Sequence, residues 1–214
     1  SKDIEKTIGL LARSSELDST EYMSLARQSI RAAMDGKRYD MAALGFQHLI
    51  SYLNRVAGAE RAYRELLRLR ELGERTNEGS IYCYRSWHNV IVQFYNETNP
   101  LRAVNEFQEM QLMAEEKGDD YGLACAYASF GAISEYAYDA GIENFYLALE
   151  HLQRAERSEE IFYLYNEMAE LAHLNMKEDD VLKFLDRMEK AAGNPTKTDP
   201  LSLYLRLLVH IAQN

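Results

Sequence analysis

Histidines, cysteines and paired acids are the side chains here that could ligate metal or move protons, so their spacing decides what chemistry is open. His48, His88, His151, His173 and His210 are scattered about one to a helical stretch. They form no His-Glu-x-x-His run and no pair at ligand spacing, so no metal site is expected. Cys83 and Cys125 stand far apart in the chain, which makes neither a disulfide framework nor a metal knuckle; two buried free thiols are expected. There is no Gly-rich phosphate loop, no Gly-x-Ser-x-Gly elbow and no Cys–His pairing. The acidic pairs Glu115-Glu116, Asp119-Asp120, Glu159-Glu160 and Asp179-Asp180 fall at helix ends or starts. Those that open helices suit N-caps and the helix dipole better than calcium or catalysis. These residues point to a chain that is not an enzyme and needs no cofactor.

The composition narrows the partners. Over 214 residues, 47% apolar and 27% charged side chains are usual for a soluble globular protein. A net charge of −10 argues against nucleic acid and anionic membrane surfaces, which call for clustered Lys and Arg. The longest uncharged run, Tyr121 to Ser134, is too short to span a bilayer, so no membrane insertion is expected within this chain. No signal peptide or lipidation motif is visible, and the chain begins at Ser1-Lys2 without Met, so upstream sequence is expected.

The elements that position these side chains read as helices throughout. Only 3 Pro and 11 Gly punctuate the chain, and no segment alternates long enough for a strand. Asp3 can cap a helix to about Ser14, and Asp18-Ser19-Thr20 starts a second that Gly36 ends. Helices follow over Asp40 to Val56, Ala59 to Gly73, and through Trp87, Val90, Ile91 and Phe94. Asn99-Pro100 breaks the chain and opens the next, since Pro suits the first helical turn. The spacing then predicts helices over Tyr121 to Tyr138, Gly141 to Arg157, Ser158 to Met176 and Asp179 to Ala192. An eleventh, apolar on most sides through Leu201, Leu205, Leu208 and Ile211, runs from Asp199 to Asn214. It implies either a further repeat or a homodimer through the terminal helix.

The helices repeat as pairs. In each second helix a small or slim residue is followed four later by a large apolar one, and three later by another apolar or small one. The sets are Ala26, Ile30, Ala33; Ala62, Leu66, Leu69; Ala103, Phe107, Met110; Gly141, Phe145, Ala148; and Val181, Leu185, Met188. Their leading members recur at a near-constant interval along the chain. Leu10, Phe46, Trp87 and Tyr165 precede four of them by one constant offset, and a shorter turn brings Tyr127 to that place in the fourth. A small residue lets two helix backbones approach; the large one is expected to fill the space between neighbouring hairpins. Tyr127, Tyr146 and Tyr165 fall on the apolar stripes and are expected in the core.

This pattern resembles tetratricopeptide repeats (TPR), especially Trp87–Ile91–Phe94 with Ala103–Phe107, and Phe130-Gly131 with Gly141–Phe145–Ala148. It differs in a period of roughly 40 rather than about 34 and in the loss of the Leu-Gly pair. Tyr121-Gly122-Leu123 through Ala148-Leu149-Glu150 is similar to repeat regions of signalling proteins in Bacteroides-type bacteria. The resemblance implies an all-α, right-handed α-solenoid of about five hairpins plus a final helix, forming a single domain over residues 1–214. It also implies that first helices line a concave groove carrying Gln47, Ser51, Asn54, Arg55, Arg85, His88, Tyr95, Asn96, Glu135, Tyr136, Tyr163, Asn166, Glu170 and His173. Tyr, Arg, His and Asn suit peptide recognition. The carboxylate clamp of chaperone-tail-binding TPR proteins is not matched, because Gln47, Ser51, Arg85 and His88 stand where Lys and Asn would be needed. The expected function is protein or peptide binding, as an extracytoplasmic sensory region or, alternatively, as a cytoplasmic scaffold. A helical enzyme or small-molecule carrier is the remaining rival.

Overall fold

The computed structural model describes residues 2–12 and 18–191. The expected helix over 199–214, and with it the terminal-helix dimer, lies outside them. The described residues form α1 (Lys2–Leu11), α2 (Ser19–Asp35), α3 (Tyr39–Ala57), α4 (Ala59–Gly73) and α5 (Asn77–Asn96). They continue as α6 (Pro100–Lys117), α7 (Asp120–Ala132), α8 (Tyr138–Arg154), α9 (Ile161–Leu174) and α10 (Glu178–Ala191). A 3-10 turn, Ser158–Glu160, precedes α9, and the described residues contain no strand. The described residues are all-α.

The starts were legible because the caps are chemical. Asp18 Oδ1 accepts from the N–H groups of Thr20 and Glu21, and Asp119 Oδ1 accepts from that of Gly122. Asn99 Oδ1 accepts from the N–H of Arg102, with Pro100 as the first helical residue of α6. Each occupies donors that a helix N-terminus leaves without a partner.

The chain divides into two compact units, Ser1–Ala103 and Val104–Asn214, the division falling within α6. Short connections make sequential helices neighbours in both. In the first unit α2 packs on α1 and α3, and α4 on α3 and α5; α1, α3 and α5 also touch in order. In the second, α8 packs on α7 and α9, α10 packs on α9, and α7 touches α9. The helices expected as the first of each pair are α1, α3, α5, α7 and α9.

The counted register is the buried one. Ala26, Ala62, Ala103 and Val181 are fully buried, as is Gly141, and the large and closing residues of all five sets are buried with them. Close approach explains the glycine: a Cβ on Gly141 would sit 2.6 Å from Leu171 Cδ2 of α9. Phe107 stacks at a tilt on Phe130 of α7, ring centroids 5.0 Å apart, and so fills the space between successive pairs as expected. Phe145 departs from that expectation. Its ring lies where a Cβ on Gly131 would be, 2.8 Å away, so it fills a gap within its own pair.

One turn geometry recurs. After α2, α5, α6, α8 and α9 the chain places a residue in the left-handed region, at Lys37, Thr98, Gly118, Glu156 and Met176. The following N–H then reaches back to a carbonyl one helical turn and a half earlier: Arg38 to Ala33, Asn99 to Phe94, Asp119 to Ala114, Arg157 to Leu152 and Lys177 to Ala172. This is the Schellman closure, here made mostly without glycine.

Three expectations are corrected. The helix drawn over Tyr121 to Tyr138 stops at Ala132, and Tyr138 begins α8. The backbone turns there, the Ser134 N–H donating to the Gly131 carbonyl and the Ala137 N–H to that of Ser134. The upstream first-helix marker holds at Trp87, which is fully buried, but Leu10 is 48% exposed while Ile8 and Leu11 form the α1 core stripe. Phe46, Tyr127, Tyr146 and Tyr165 are only half-buried, and the Tyr146 hydroxyl accepts from Arg187 Nη1 at 3.0 Å.

Candidate interaction face of the first helices

The expected groove residues fall on both units, six in each if Ser51 and Arg55, both exposed, are left aside. In the first unit, Gln47 and Asn54 lie two helical turns apart on α3, hence on one side. On α5, Arg85 and Asn96 lie opposite the stripe of Cys83, Trp87, Val90, Ile91 and Phe94, while His88 and Tyr95 lie at its edge. Arg85, His88 and Tyr95 are half-buried and Asn96 is exposed. In the second unit, Tyr163, Asn166, Glu170 and His173 share one side of α9, opposite Leu164, Met168, Leu171 and Ala172. Tyr163 is 67% exposed. Asn166 Nδ2 donates to Glu170 Oε1 at 2.8 Å, one turn on.

Glu135 and Tyr136 do not belong to that face as drawn. With α7 ending at Ala132 they sit in the α7–α8 turn, and Tyr136 is 93% exposed. The Glu135 carbonyl accepts from Asn175 Nδ2 at 2.9 Å, which ties this turn to the one after α9.

A shared feature of the first helices is shielded acceptors. Gln47 Oε1 and Asn54 Oδ1 on α3, Ser86 Oγ on α5 and Asn166 Oδ1 on α9 are cut off from solvent and have no hydrogen-bond partner among the described residues. A shielded polar atom without a partner costs about 1–3 kcal/mol. Three of the four are side-chain amides at groove positions.

The sequence reading missed a second set of residues that bind pair to pair. Tyr121 donates to Glu160 Oε2 at 2.7 Å while the Arg157 guanidinium lies 5.5 Å above its ring. Tyr138 donates to Asp180 Oδ2 at 2.6 Å, with the Lys177 ammonium 5.7 Å from its ring. In each case the cation directly follows a left-handed turn residue and the acid comes three later. Arg75 lies 5.3 Å over Tyr39, at the same sequence offset as Arg157 from Tyr121. Burial and the bonded Asp180 carboxylate push the Tyr138 hydroxyl far above the usual phenol range. Glu97 caps α4, its Oε1 accepting from the Ala59 N–H at 3.0 Å beside Gly58, whose φ is +87°. In the sequence these ties show only as tyrosine-to-cation intervals of 36 residues for Tyr39–Arg75 and Tyr121–Arg157 and of 39 for Tyr138–Lys177.

The residues considered first for chemistry are also placed. His151 Nδ1 lies 2.6 Å from Asp120 Oδ1 and its ring stacks on Tyr127 at 5.4 Å. Burial holds the His48 imidazole below its usual range. Cys83 and Cys125 are buried and free. No three His, Cys, Asp or Glu side chains converge as a metal site among the described residues, and no described helix is long and apolar enough to cross a membrane. No protein-family model, curated protein or solved structure matches the chain.

Proposed function

We propose that the chain is a non-enzymatic, TPR-like helical repeat domain, a right-handed α-solenoid whose first helices bind an extended segment of another protein. The observation that carries this reading is the polar side of α9, where Tyr163, 67% exposed, shares one side with Asn166, Glu170 and His173, opposite the buried stripe of that helix. Tyr163, Arg85 and Tyr95 supply the aromatic and guanidinium surface common at energetic centres of interfaces. The recurring left-handed turns and the buried five-fold register support the repeat assignment. A place in a bacterial signal-transduction protein, as its sensory or interaction region, follows from the resemblance alone.

The test is selection of binders from a random peptide display library, followed by titration of the variants Tyr163→Ala and Tyr95→Ala. At least one is expected to weaken the selected peptide by about tenfold, or about 1.4 kcal/mol, with melting unchanged. Selected peptides that bind both variants as tightly as the wild type would rule the face out.

A further inference from the structure

Away from the first-helix face, α2 and α4 border a groove of about 520 Å³ in the first unit. Met23, Ser24, Arg27, Gln28 and Arg31 of α2 line it together with Arg61 of α4. Its lining runs from Ser19 to Arg31 along α2, roughly 18 Å at about 1.5 Å per residue. That matches an extended peptide of about five or six residues.

Its electrostatics oppose those of the chain as a whole. The protein carries a net charge of −10, yet three arginines gather here, all exposed. Elsewhere Arg38, Arg68, Arg154 and Arg157 each reach a carboxylate. Arg27, Arg31 and Arg61 have no carboxylate partner among the described residues, and neither Glu21 of α2 nor Glu60 of α4 bonds to them. Arg27 and Arg31 are one turn apart, a like-charge spacing that slightly disfavours the helix. The N-terminal donors of α2 are not the attraction, since Asp18 already occupies those of Thr20 and Glu21. Gln28 Nε2 donates to Ser24 Oγ at 3.3 Å, leaving the Gln28 amide oxygen for a backbone N–H.

We propose that this groove binds an extended acidic peptide segment, whose carboxylates pair with Arg27, Arg31 and Arg61. Guanidinium forks match carboxylates two bonds at a time, and a run of hydroxyl and amide groups beside them suits a peptide backbone. The proposal goes beyond the first-helix reading and uses other helices, so either can fail alone.

Fluorescence polarisation with a labelled Glu-rich peptide of about six residues tests it. The wild-type protein is expected to bind this peptide at low salt and to bind its Gln-for-Glu counterpart at least about tenfold more weakly. The double variant Arg27→Ala with Arg31→Ala should lose about tenfold in affinity with its helical signal unchanged, while Tyr163→Ala binds as the wild type does. Should the double variant not fold, Arg61→Ala on α4 carries the same expected loss. Equal binding of the Glu and Gln peptides, full affinity in the arginine variants, or equally tight binding of an oligothymidylate of matched charge would each overturn it.

Discussion

Tyr121 donates its hydroxyl to Glu160 across 39 residues of sequence, at 2.7 Å. One tyrosine at the start of α7 is thereby fixed to the turn that opens α9. Tyr138 and Asp180 make the same kind of tie at a separation of 42. Hydrogen bonds to a charged acceptor contribute about 1.5–3 kcal/mol when shielded. Tyr121→Phe is accordingly expected to destabilise the second unit by about 1–2 kcal/mol, and Glu160→Gln by less. A denaturant double-mutant cycle in which the two changes simply add would remove the tie from the account of stability.

The glycines make opposite predictions. Gly141→Ala places a methyl 2.6 Å from Leu171 Cδ2, so overpacking should outweigh the gain in helix propensity and cost about 1–3 kcal/mol. Gly9, inside α1, has open space around it; Gly9→Ala should stabilise by about 0.5–1 kcal/mol. Urea midpoints for the two variants moving in the same direction would contradict the packing described for Gly141.

Thr98 holds φ at +62°, a conformation in which a β-branched side chain is strained. Thr98→Gly is expected to raise stability by about 1 kcal/mol, and Gly118→Ala, at φ +61° with open space around it, to lower it similarly. Thermal denaturation decides both.

His48 gives a pH dependence. Burial disfavours its charged form, so its folded pKa lies below the unfolded value of about 6.5. The unfolded chain then binds the extra proton first, and stability falls as pH drops below that value; above it the group contributes nothing. His48→Gln should reduce the loss of stability between about pH 7 and pH 5. An identical loss in wild type and variant would assign the acid sensitivity elsewhere.

Much of the fold was readable because its signals are local. Asp18, Asp119 and Asn99-Pro100 announce helix starts by side-chain chemistry, and the small-large-apolar sets recur on the second helices at intervals short enough to count. The end of α7 was not readable, because no glycine or proline follows Ala132 to mark it before α8 begins. Neither were the ties of Tyr121, Tyr138 and Glu97, whose partners lie 38 to 42 residues away on surfaces that only helix packing brings together. Of the expected groove, the α3, α5 and α9 positions share faces as the helical period requires, while Glu135 and Tyr136 left it with the shortened helix.

The side-chain amide resonances of Gln47, Asn54 and Asn166 test the proposed peptide-reading face most directly. In a nitrogen–proton correlation titration with a display-selected peptide, at least one of the three should shift saturably, in step with the affinity measured by titration calorimetry. Saturable shifts confined to second-helix residues, with all three amides unmoved, would contradict a first-helix binding face.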